Sequence, residues 1–225
     1  MATVLLIRHG RTSANAAGLL AGWSPGVFLD EVGLAQVRAL AAQLSEIALK
    51  GIVSSPLDRT LETSEELARS LEAEGKDVPI KVDERIGECH YGDWTGKALS
   101  ELSEHELWPA VQAHPASVRF PGGESLLDMQ HRAVACIRDF NEQFGPEATY
   151  AVVSHGDVIK AILADALGMH LDHFQRIQVS PASVSVVRYT TARPFVAAIN
   201  TSAQGLGSSI GVSSSSDATV GGESE

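Results

Sequence analysis

Thr3-Val4-Leu5-Leu6-Ile7-Arg8-His9-Gly10 is an apolar run that stops abruptly on a cation, an imidazole and a glycine. The run does not alternate apolar with polar residues, which is the pattern of a strand covered on both faces. The same design recurs twice. Gly51-Ile52-Val53 leads into Ser54-Ser55-Pro56 and then Arg59, and Tyr150-Ala151-Val152-Val153 leads into Ser154-His155-Gly156. Ligands of open α/β sheets bind beyond the carboxyl ends of the strands. Three parallel strands of this kind therefore bring His9, Arg59 and His155 to one edge.

Helical patterns separate the strands. Leu34, Val37, Ala41, Leu44 and Ile47 share one face, and Leu57, Leu61, Leu67 and Leu71 share another. Ser125 to Phe144 reads as a longer helix, opened by Pro121-Gly122-Gly123 and a capping pattern of Ser125 with Asp128. Val158 to Leu167 is a further helix, stopped by Gly168. Val184–Tyr189 and Phe195–Ile199 flank a turn containing Pro194 and predict a hairpin at the sheet edge. The expected fold is a three-layer α/β/α sandwich with a mostly parallel central sheet and an antiparallel edge. Residues 1–200 form one domain in this reading, with 89–124 a short cap inserted over the sheet. Residues 201–225, rich in Ser and Gly, read as a disordered tail.

Bulk properties narrow the function. A balance of 17 Lys+Arg against 28 Asp+Glu excludes nucleic acid as the expected partner. Cys89 and Cys136 form neither a disulfide framework nor a metal spacing, which suits a reducing compartment. The run to Ile7 is too short, and too soon followed by Arg8, for a signal peptide. No run approaches the ~18 apolar residues of a membrane span. The expected location is the cytoplasm.

The strand-end residues suit a phosphate. Arg8 and Arg59 carry planar forks of donors that match its oxygens. Gly10 lets backbone approach a ligand and adopt positive φ, and Thr12 and Asn15 add hydrogen-bond donors. Helix starts near Arg59 and after His155 supply backbone N–H groups.

Taken in order, the motifs resemble the histidine phosphatase superfamily, which includes the cofactor-dependent phosphoglycerate mutases. They are Arg8-His9-Gly10-x-Thr12-x-x-Asn15, Leu29-Asp30-x-x-Gly33-x-x-Gln36, and Ser54-Ser55-Pro56-Leu57-x-Arg59-Thr60-x-Glu62-Thr63. After them come Glu88-x-x-x-Gly92-x-Trp94-x-Gly96, Gly122-Gly123-Glu124-Ser125 and Ser154-His155-Gly156. The resemblance implies a phosphoglycerate mutase-like fold and a neutral His9 that attacks phosphorus to give a phosphohistidine. It implies that Arg8, Arg59 and His155 stabilise the transferring oxygens, that Gly22 lies against the phosphate, and that Glu88 protonates the leaving group. It calls for no metal or other cofactor, implies a small phosphorylated metabolite as substrate, and leaves room for a homodimer.

Bland readings compete with these. Asp157 is a rival general acid, or simply an acid complementing a helix N-terminus. His9, His155 and Glu88 also have the composition of a two-histidine, one-carboxylate iron site, against which two arginines argue. His170-Leu171-Asp172-His173 reads as a polar helix-end loop, and Trp94 and Trp108 as packing under the cap.

Within the resembled family, the mutases carry a lysine shortly after the Glu-x-x-Tyr-Gly segment and a later pair of adjacent arginines. Here Leu99 takes the lysine's place, with Lys97 nearby, and Arg119 stands alone. Hydrolysis of phosphate monoesters is the favoured activity; a mutase, or a non-catalytic phosphate-binding protein, are the alternatives. Arg11, and Ala21 before Gly22, depart from the family's usual residues and bear on substrate preference. The run Ser154 to Lys160 with Phe174-Gln175-Arg176-Ile177 also resembles an actinobacterial subgroup often labelled phosphomutases.

Overall fold

A computed structural model describes residues 2–203. In chain order the elements are β1 (Ala2–Arg8), α1 (Ser13–Ala16), α2 (Glu31–Leu44), β2 (Leu49–Ser54), α3 (Asp58–Ala73) and β3 (Ile80–Val82). They continue with α4 (Leu99–Leu102), α5 (Trp108–Ala113), α6 (Leu126–Phe144), β4 (Thr149–Ser154), α7 (Gly156–Leu167), β5 (Val184–Tyr189) and β6 (Pro194–Thr201). The six strands make one sheet in the order β3-β2-β4-β1-β5-β6. The first four are mutually parallel, and β5 and β6 run antiparallel to their neighbours.

The unbroken apolar runs are explained by cover on both faces. Leu5 and Ile7 of β1 point into a core with Val37, Leu40, Leu67 and Leu71 of α2 and α3. Val4 and Leu6 point the other way, among residues of α6 and α7 such as Met129, Ile137 and Ile162. The sandwich therefore has three layers, and the hairpin closes one edge of its sheet. Pro194 opens the outermost strand, where its missing N–H costs no ladder bond.

Local chemistry sets the helix ends. The Asp30 side chain accepts from the Gly33 N–H and Ser125 from that of Asp128. Gly168 stops α7 in the left-handed region, φ 65°. Helix α2 ends at Leu44, so Ile47 packs on the same core from the following turn. Strand β3 escapes sequence reading because it is three residues long and sits at the sheet edge with Lys81 at its centre. β6 runs through Thr201, one residue into the expected tail; residues 204–225 of that segment lie outside the described residues.

Residues 89–124 carry α4 and α5, and bury Trp94, Val111, Val118 and Phe120 in the core shared with α6 and α7. Trp94 stacks on Trp108 at 6.2 Å, so both tryptophans do pack. Among the described residues no helix is long and apolar enough to cross a membrane.

Gly10 serves packing rather than ligand approach. A Cβ there would meet the Gly33 carbonyl oxygen at 2.8 Å, and a Cβ on Gly33 would meet that of Arg11 at 2.0 Å. The end of β1 and the start of α2 thus touch backbone to backbone, and Gly10 is not among the positive-φ residues. Gly33→Ala is expected to cost about 1–3 kcal/mol through overpacking. A lower urea midpoint with an unchanged slope would show it; an unchanged midpoint would mean the segments separate freely.

Candidate active site

Register builds the site. Arg8 pairs with Ser154 across β1 and β4, so the next residues on each strand, His9 and His155, emerge side by side. Their ring centroids are 5.4 Å apart. Ser54 pairs with Val153, which brings Ser55 beneath His155, with Ser55 Oγ 2.7 Å from His155 Nε2. Glu88 arrives on the loop after β3. That loop is tied to the strand ends by Ser154 Oγ donating to the Ile86 carbonyl at 2.7 Å and by the Asp83 N–H donating to Ser54 O at 2.9 Å. Arg8, His9, Arg59, Glu88 and His155 are all buried.

The His9 tautomer follows from its neighbour. Nδ1 lies 2.7 Å from the Gly10 carbonyl oxygen. A carbonyl only accepts, so Nδ1 carries the proton and Nε2 keeps its lone pair. Burial, then the charges of Arg59 and Arg8, hold the imidazole well below its ordinary value, so it is neutral at physiological pH. His155 is likewise pushed down by burial and by Arg59. Its Nε2 faces the Ser55 hydroxyl, and Nδ1 is the ring nitrogen turned toward Glu88. That atom has no hydrogen-bond partner and lies 3.8 Å from Glu88 Oε2.

Arg59 is aimed by Gly22, whose carbonyl accepts from Nη2 at 2.8 Å, and its Nη1 is buried with no hydrogen-bond partner. Arg8 is held by Nη1 donating to Val179 O at 2.7 Å. Neither α3 nor α7 has a side-chain cap on its first turn. Buried donors without acceptors are costly in the absence of a ligand. Donors from Arg59, His155 and two helix starts make a site for an acceptor-rich anion.

Glu88 sits opposite in charge logic. Burial, then repulsion from Asp157, push its carboxyl up to about 7 against the opposing pull of Arg59 and Arg8. It therefore holds a proton near neutral pH. Its backbone carbonyl accepts from Trp23 Nε1 at 2.6 Å and from Arg132 at 2.9 Å. Arg132 also holds the carbonyls of Arg85 and Gly87, both at 2.8 Å, and is itself paired with Glu124.

The other three expected phosphate contacts, Thr12, Asn15 and Gly22, also carry local bonds. The Thr12 hydroxyl donates to Asn15 Oδ1 at 2.9 Å, and Asn15 N–H donates back to Thr12 Oγ1, a reciprocal cap on α1. These bonds position Asn15. Asn15 Oδ1 accepts from both Thr12 donors, so the amide NH2 is the donor end of that side chain. Gly22 meets Arg59 through its carbonyl. Arg11 does not add free charge to the pocket: Nε pairs with Asp30 at 2.9 Å.

Asp157 is engaged as an acceptor, taking the Tyr91 O–H at 2.8 Å. His170 Nδ1 accepts from the Asp172 N–H, so that segment is a self-capped turn. Among the described residues no group of three His, Cys, Asp or Glu side chains is arranged to hold a metal ion, and the iron reading has no geometric support. Arg132, Trp23, Ser55 and Tyr91 complete the site without having been singled out as site residues. Only the Gly122-Gly123-Glu124-Ser125 motif pointed toward Arg132, through Glu124.

A neutral buried imidazole with a free lone pair, two arginines and a carboxyl that titrates near neutral pH are the groups phosphoryl transfer needs. The family profile of the histidine phosphatase superfamily (branch 1) matches residues 4–202. The chain belongs to that superfamily, whose general chemistry passes through a phosphohistidine.

It is 31% identical over 203 residues to phosphoserine phosphatase 1 of Hydrogenobacter thermophilus, covering 89% of this chain and 92% of that one. A 2,3-bisphosphoglycerate-dependent phosphoglycerate mutase 2 of Gloeobacter violaceus is 31% identical over 190 residues, covering 82% of each. The solved structure of Bacillus stearothermophilus YhfR superposes with a TM-score of 0.80 at 28% identity, over 88% of this chain and 96% of that one.

Proposed function

We propose that the protein hydrolyses small phosphate monoesters through a phosphohistidine on His9. The observation that carries this is the His9 tautomer, a buried Nε2 lone pair held neutral beside Arg8 and Arg59. In the first step Nε2 forms a bond to phosphorus as the P–O ester bond breaks. Glu88 gives its proton to the departing alkoxide. Arg8, Arg59, His155 and the helix starts take the charge on the transferring oxygens. In the second step the Glu88 carboxylate takes a proton from water as that water attacks phosphorus. The N–P bond breaks and phosphate leaves.

Two features favour hydrolysis over mutase chemistry. Lys97, the nearest substitute for the mutase lysine, lies half-exposed 3.7 Å from Glu101. Arg119 is exposed and paired with Asp128 at 2.6 Å. Neither is a spare cation for gripping a substrate carboxylate through two half-reactions. The relatives include a phosphatase named for phosphoserine and one named for glucosyl-3-phosphoglycerate, which supports a small phosphorylated metabolite as substrate. We place the protein in the cytoplasm, where the free, buried Cys89 and Cys136 would stay reduced. A homodimer would form through the β6 edge, where Phe195 and Ile199 are exposed.

The test is an assay with an aryl phosphate and with 3-phosphoglycerate in EDTA. Phosphate release from either, undiminished by the chelator, is expected. Conversion of 3- to 2-phosphoglycerate with little release would replace this reading by the mutase. Binding of phosphoesters without turnover would replace it by the non-catalytic protein.

A further inference from the structure

Glu88 stands on a loop with no regular structure of its own, and loops move unless they are held. One peptide decides where its carboxyl lies. The carbonyl of Glu88 and the N–H of Cys89 belong to the same planar unit. That N–H donates to Glu88 Oε1 at 3.0 Å, so the plane of the peptide sets the direction of the carboxyl. With Oε1 fixed in this way, Oε2 is the oxygen 3.8 Å from His155 Nδ1.

Two donors hold that plane by its oxygen. Arg132 Nη2 reaches the Glu88 carbonyl at 2.9 Å, and Trp23 Nε1 reaches it at 2.6 Å. A carbonyl oxygen has two lone pairs, and both are taken. Arg132 divides its donors among three carbonyls and the Glu124 carboxylate, and so sets the course of the whole loop. Trp23 has one side-chain donor, and it goes to Glu88. Its ring lies along the same loop. It stacks on His90 at 4.2 Å with 12° between the planes, and a Cβ on Gly87 would meet its Cζ2 at 2.5 Å. Trp23 thus packs against the residue before Glu88 and against one just after it. The turn beneath it is pinned on two sides. Gly22, in the left-handed region at φ 51°, gives its carbonyl to Arg59 at 2.8 Å. Leu20 N–H donates to Lys97 O at 2.9 Å, Leu20 O accepts from Gly96 at 2.7 Å, and Ser24 N–H closes on Ala21 O at 3.0 Å. A group that must be placed to within about 0.5 Å needs support of this kind.

We propose that Trp23 is a positioning residue for the proton donor: its indole N–H orients the Glu88–Cys89 peptide, and with it the Glu88 carboxyl, from a turn that also aims Arg59. This rests on the phosphohistidine reading above. Trp23 touches no reacting atom in this role; it acts through Glu88. Without its N–H one of the two bonds to the Glu88 carbonyl is gone, and the peptide can turn about the bond to Arg132. The carboxyl turns with it, because the Cys89 N–H that holds Oε1 is part of the same plane. The phosphate donors Arg8, Arg59 and His155 keep their places.

The test compares kcat/KM for glycerol 2-phosphate, whose alkoxide must be protonated as it leaves, with that for p-nitrophenyl phosphate, whose weakly basic leaving group needs little help. For both esters kcat/KM reports the first chemical step. Trp23→Phe keeps a ring over Gly87 and His90 and removes the N–H. The alkyl value should fall by about 10- to 100-fold, the scale of a ~1 Å misplacement. The aryl value should change by less than about threefold, since its first step does not draw on the acid. Loss of folded protein would lower both alike. In Glu88→Gln there is no titrating proton to aim, so adding Trp23→Phe should lower the alkyl value by less than about threefold further.

An alkyl value that does not fall in Trp23→Phe overturns the proposal, as does equal loss on both esters. A loss as large in Glu88→Gln as in the wild type also overturns it, because Trp23 would then act by another route. If Trp23→Phe does not fold, 3-benzothienylalanine at position 23 keeps the fused ring and removes only the N–H, and the same outcomes decide. A wild type that turns over neither ester fails the phosphatase reading instead, before any variant is compared.

Discussion

The His9→Ala protein is expected to lose turnover of every phosphate monoester by about 10⁴-fold or more, the scale seen when a covalent nucleophile is removed. The size follows from the lack of a substitute. His155 has Nε2 committed to Ser55, and its Nδ1 faces Glu88. Protonation cannot mimic the loss at ordinary pH. Burial, Arg59 and Arg8 lower the His9 value, so wild-type activity fails only as pH falls through a point below the usual imidazole range.

Binding should survive the substitution. Arg8 keeps its bond to Val179 and Arg59 its bond to Gly22, and neither depends on the His9 ring. Quenching without acid after mixing with a radiolabelled ester should trap label on the wild type and none on the variant. Label retained in His9→Ala would move the nucleophile elsewhere.

The chemistry was legible where the chain places it directly after a strand. His9 and His155 each follow a buried apolar run, and the parallel order of those runs is enough to bring them together. Gly10 shows the limit of that reasoning. The residue type was informative, but its physical cause is the carbonyl of Gly33 on the next helix.

The support for Glu88 was not legible. Arg132 lies 44 residues from the carbonyl it binds, in the middle of a helix whose other charged residues face solvent. No local pattern separates such an arginine from a surface one. Asp157 was visible as an acid near the site, yet its hydrogen-bond partner, Tyr91, lies 66 residues away. Backbone order is written in local patterns, whereas long-range side-chain pairing emerges only when loops are placed on the sheet.

Glu88→Gln separates the two half-reactions. The substitution keeps the volume, and the amide oxygen can still accept the Cys89 N–H that Glu88 Oε1 takes at 3.0 Å. What it removes is a titrating proton, and general acid–base catalysis of this kind contributes about 10²–10⁴-fold. An alkyl ester needs the acid in the first step, so its turnover should fall by that full range. A nitrophenyl ester leaves unaided, so its first step should survive. The second step, in which the carboxylate must take a proton from water, should not.

The expected trace is therefore a burst of about one nitrophenolate per active site, then slow turnover, with phosphohistidine accumulating. The decline of alkyl-ester activity through about pH 7 should disappear along with the titrating carboxyl. Equal loss on both esters without a burst would remove Glu88 from proton transfer. Asp157, the rival acid on α7, would then be the one to test.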